Sequence, residues 1–64
     1  MRLTEFWFRM RRHFGAAYAD SVAQDQVLAE LDGRTVAQAL TDGEDAKDVW
    51  RAVCAHFELP ARDR

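Results

Sequence analysis

The chain has 64 residues, nine Lys/Arg against eleven Asp/Glu, and one cysteine. A chain of this length makes one domain, buries only about 60% of its unfolded surface and has no intrachain disulfide to stabilise it. The near balance of charge excludes strong non-specific attraction of the whole molecule to nucleic acid or membrane, and no apolar run is long enough to span a bilayer.

The charge is unevenly placed. Residues 1–19 carry net +3, residues 20–48 net −6 and residues 49–64 net +1. A basic start therefore faces an acidic middle, which implies either internal complementarity or two surfaces for different partners. The N-terminus has arginines but no apolar segment of a secretory leader. A cytoplasmic location is expected.

Thr4 is the expected cap of a first helix that runs to Phe14 and stops at Gly15. Leu3, Phe6, Trp7, Met10 and Phe14 share one arc, assigned to the core. Arg2, Glu5, Phe8, Arg9 and Arg12 occupy the other. Phe8 does not fit the core arc, because three consecutive aromatics cannot face one way. It either packs locally under Arg12 as a cation–π contact or anchors a recognition patch with Arg9 and Arg12.

Residues 16–31 read as a second helical region. Tyr18 and Val22 lie together on a wheel, and Val27, Leu28 and Leu31 lie on a rotated face. Either one helix meets different neighbours, or it breaks near Gln24–Asp25 with Asp25 capping the second piece. The rotation favours a break. Asp32-Gly33 then makes a turn.

The stretch from Thr35 to Phe57 organises the rest. Thr35 and Gln38 have capping-box spacing. Val36, Ala39 and Leu40 share a side of a short helix, and Gly43 suits a left-handed position after it. Asp45 caps the last helix, with Asp48 in its first turn. There Ala46, Val49, Trp50, Val53, Cys54 and Phe57 form one apolar arc. Lys47, Asp48, Arg51, Ala52, Ala55 and Glu58 lie opposite, and Leu59-Pro60 ends the helix. Trp50 is the expected core centre. Residues 61–64 are an expected frayed tail beyond a single domain at 1–60. The fold class is all-α, a compact bundle of four to five short helices with a helix-turn-helix-like C-terminal pair.

The opening MRLTEFW, then HFG-AYA-S, GRTVA-AL and VWRAVC, together resemble a short actinobacterial family, domain-of-unknown-function family 3046. The resemblance runs from Met1 to about Pro60. It implies no established activity, ligand or partner. It also implies a polar or basic residue where Phe8 stands, and an apolar residue and a proline where Glu44 and Ala46 stand. This chain departs at all three.

The residues argue against catalysis. Cys54 and His56 are two apart on a helix and diverge, so with His13 they do not make the converging set that zinc needs. Ser21 has no His or Asp spaced to activate it on its helical face. The three glycines are isolated, so there is no phosphate loop. No enzyme, cofactor or metal is expected. The favoured reading is a non-catalytic protein-interaction or regulatory module, with Phe8, Arg9 and Arg12 meeting an acidic, partly apolar partner or a second copy. The alternative is a nucleic-acid-binding accessory using residues 35–57. Ala39, Gly43 and Val49 have helix-turn-helix spacing, but the second helix offers only Lys47 and Arg51 to phosphate, among Glu44, Asp45 and Asp48.

Overall fold

The computed structural model describes residues 1–60. The expected frayed tail lies outside the described residues. Four α-helices surround one core: α1 (Leu3–Phe14), α2 (Ala16–Asp25), α3 (Val36–Thr41) and α4 (Ala46–Phe57). Between α2 and α3 the chain forms β1 (Val27–Leu28), a 3-10 turn (Ala29–Leu31) and β2 (Arg34–Thr35).

Helix α1 begins two residues earlier than its expected cap allows. Arg2 holds the cap position without a side-chain bond, so Thr4 is already inside the helix. Phe6 and Met10 are fully buried, but Leu3 is 52% exposed. Its turn lies beyond the core, whose first α1 residue is Phe6. Trp7 and Phe14 are half-buried against the core. Gly15, at φ +83°, turns the chain directly from α1 into α2.

Helix α2 buries its small residues, Ala19 and Ala23, and leaves Tyr18 69% exposed. Alanines let α2 approach its neighbours closely, with α1 on one side and α3 on the other. The expected break occurs, but Asp25 closes α2 instead of capping a further helix. The chain then enters a small antiparallel ladder, with Val27 opposite Thr35 and Leu28 opposite Arg34. Asp32 and Gly33 are both left-handed, at φ +58° and +77°, and together they reverse the chain. The Gly33 N–H donates to the Leu28 carbonyl at 3.1 Å. Leu28 of the ladder and Leu31 of the 3-10 turn enter the core, and Val27 stays outside.

The α3–α4 unit is built by its caps. Thr35 Oγ1 accepts from the Gln38 N–H at 3.1 Å. The reciprocal half of the capping box is replaced, because the Gln38 amide reaches forward to Asp42 at 2.8 Å. At the end of α3 the Glu44 N–H donates to Ala39 O and the Gly43 N–H to Leu40 O, with Gly43 at φ +94°. This is the Schellman arrangement. Asp45 then caps α4 through the Lys47 N–H at 2.9 Å.

Trp50 is the largest fully buried side chain, and Phe6 meets it edge-on at 6.0 Å. Ala52, expected on the outer side, is 8% exposed. Helix α4 is covered by α1, by α3 and by the 3-10 turn with β1, so its buried arc is wider than the apolar stripe. The helix stops at Phe57, before Leu59-Pro60. Glu58 is left-handed at φ +55°, and the Leu59 N–H donates back to Cys54 O. A glutamate thus holds a conformation that favours glycine.

Candidate functional site

Helices α1 and α4 share a long contact whose aromatic pairs advance in the same sense along both. Phe6 meets Trp50, and Phe14 meets Phe57 at 5.0 Å. On one flank of this contact a groove of about 680 Å³ opens. Met1, Glu5 and Arg9 line one wall. Lys47, Arg51 and Ala55 line the other, and Trp50, 1% exposed, lies beneath the floor.

Helical spacing explains the walls. Glu5 and Arg9 are four apart on α1. Lys47, Arg51 and Ala55 are four apart on α4, so each set forms a row along one flank. The groove carries three cationic side chains and one acidic one. Arg9 donates to Glu5 Oε1 at 3.0 Å. Lys47 and Arg51 form no ion pair among the described residues. Two solvent-exposed cations therefore stand over an apolar floor with no acidic partner there.

The structure divides the residues singled out in the sequence differently from their grouping along the chain. Arg9 turns into the groove and joins Lys47 and Arg51 from the other end of the chain. Phe8 and Arg12 are exposed on the side of α1 away from Phe6 and Met10, outside the groove. Phe8 is 62% exposed and makes no ring or cation–π contact among the described residues. Sequence reasoning missed Glu5, Ala55 and Met1 as groove residues. The available signal was the i, i+4 row on each helix, but the pairing of the two rows depends on tertiary packing.

The acidic middle contains a second ionic cluster, and it is closed. Arg34 Nε donates to Leu31 O at 2.9 Å. Its other two nitrogens reach Asp42 at 3.1 Å and Glu44 at 2.9 Å. These carboxylates, Asp42 first, push the guanidinium further toward its charged form. Glu44 therefore gives the α3–α4 turn an ion pair where the family resemblance implied an apolar residue. His56 Nδ1 lies 3.1 Å from Glu30 Oε1, linking α4 to the 3-10 turn. Among the described residues no three His, Cys, Asp or Glu side chains are grouped to hold a metal ion. No described helix is long and apolar enough to cross a membrane.

The chain belongs to the family described as protein of unknown function, DUF3046, which matches residues 1–62. No curated protein and no solved structure matches it.

Proposed function

We propose that this member of the DUF3046 family is a non-catalytic, cytoplasmic protein-interaction module, and that its docking surface is the groove between α1 and α4. The observation that carries this reading is the convergence of Arg9, Lys47 and Arg51 on one groove whose accessible apolar lining is Met1 and Ala55, above the buried Trp50. Paired cations beside apolar surface suit a segment that carries carboxylates and an apolar side chain. The occupant we favour is an acidic, partly apolar segment of a partner protein. Nothing in the groove activates a nucleophile or positions an acid and a base, which favours binding over chemistry.

Nucleic acid is the weaker reading. The helix-turn-helix spacing of Ala39, Gly43 and Val49 supports it, since Ala39 and Val49 are buried and Gly43 is left-handed. Yet α3 has only six residues, and Lys47 and Arg51 face a groove shared with α1. Three cations in a concave site give few phosphate contacts, and duplex affinity scales with their number.

Fluorescence anisotropy separates the readings. A labelled peptide of alternating glutamate and leucine, its glutamine counterpart and labelled oligothymidylate are each titrated at low and near-physiological salt. The glutamate peptide binds and the other two do not. Arg51→Glu abolishes binding, whereas Arg12→Glu, which changes net charge equally, preserves most of it. Equal loss in both variants would contradict a defined groove. Loss confined to Phe8→Glu and Arg12→Glu would move the docking surface to the outer face of α1.

A further inference from the structure

The groove contains its own acid. Glu5 is the one carboxylate among its lining residues, and it bonds a single nitrogen of Arg9, leaving the rest of that guanidinium open. The Glu5 side chain is 49% exposed and that of Arg9 30%. An exposed i, i+4 pair of this kind contributes little to folding. Its effect falls instead on the groove, where it neutralises one of the three cations that a ligand would meet.

Resting on the groove reading above, we infer that Glu5 is an internal competitor. In the free protein its carboxylate holds the place on Arg9 that a partner's carboxylate takes on binding. This exchange defines the ligand class. It is a peptide segment with two carboxylates, one exchanging with Glu5 at Arg9 and one crossing the groove to Arg51 and Lys47. Between them an apolar side chain lies over Met1 and Ala55. Glu5 also sets specificity, because a singly charged or uncharged segment gains too little to displace it. Bidentate geometry favours carboxylate at the two arginines, and Lys47 adds a point charge.

The test is a double-mutant cycle on binding of the glutamate–leucine peptide, read by anisotropy. Glu5→Gln keeps the side-chain shape and removes the charge. It tightens binding about threefold and leaves the melting curve close to wild type. Arg9→Ala weakens binding. Combining the two removes the gain, because the competitor then has nothing to release. The inference is overturned if Glu5→Gln binds no tighter than wild type, or if the gain persists undiminished in the Arg9→Ala background. If the wild-type protein binds none of the glutamate peptide, the groove reading and the competitor fall together. If wild type binds and only the gain is missing, the groove stands and Glu5 is merely a surface ion pair.

Discussion

Arg34 and the groove cations carry the same charge and differ in what their donors meet. Arg34 has a partner at each of its three nitrogens, a backbone carbonyl and two carboxylates from the α3–α4 turn. In the groove, Arg9 has one short-range partner, and Lys47 and Arg51 have no ion pair among the described residues. The first arrangement fastens the ladder to the turn. The second leaves charge exposed beside an apolar floor. A net-charge count does not separate the two, because basic and acidic residues nearly cancel over the chain.

The largest effect comes from the residue under the groove. Trp50→Ala removes the biggest core side chain and should cost roughly 3–5 kcal/mol. In a domain this small, calorimetry should show the cooperative transition lost or shifted far down. A near-wild-type transition would mean that the groove floor and the core are separable.

Truncating each kind of arginine has a smaller effect, and a different one. Arg34→Ala should lower Tm by several degrees, since Asp42, Glu44 and the Leu31 carbonyl all lose a partner. Arg51→Ala should leave Tm almost unchanged and weaken peptide binding instead. Equal thermal effects would break the distinction between a fastening and an available cation.

Glu58→Gly tests a position that belongs to neither cluster. The left-handed backbone at Glu58 suits glycine, so the substitution should stabilise by about 1 kcal/mol. A thermal melt checks it, and a loss of stability would show that the Glu58 side chain matters more than its backbone.

The smallest effect is a pH dependence. A backbone hydrogen bond at Glu30, then the His56 ring, holds the Glu30 carboxyl below its ordinary value of 4.5. The unfolded chain therefore binds a proton more readily than the folded one. The stabilisation is complete above the ordinary carboxylate range and is lost as pH falls through the lowered value. Below about pH 5, Tm of wild type should fall more steeply than that of Glu30→Gln. Parallel curves would remove Glu30 from the acid response.

Much of the fold was legible because local rules and packing agree. The Thr35 and Asp45 caps, the Gly43 turn and the central place of Trp50 all come from residues close in sequence. Residues 27–35 were harder. The Asp32-Gly33 turn was readable, but Val27-Leu28 and Arg34-Thr35 are too short to show the alternating pattern of the ladder that it closes. Tyr18 looked like a packing residue, yet the close approach of α2 selects Ala19 and Ala23. The groove was legible only in halves. Arg9 was visible beside Phe8, and Lys47 beside Arg51, but no local rule pairs residues 5–9 with residues 47–55. The Phe6–Trp50 and Phe14–Phe57 contacts do that.

The most direct test is a titration of isotope-labelled protein with the glutamate–leucine peptide, followed by backbone amide NMR shifts. The account predicts shifts that cluster at Glu5, Arg9, Lys47, Arg51 and Ala55 and leave Phe8, Arg12 and the Arg34 cluster still. Shifts centred on Phe8 and Arg12, or spread evenly over the basic surface, would contradict it.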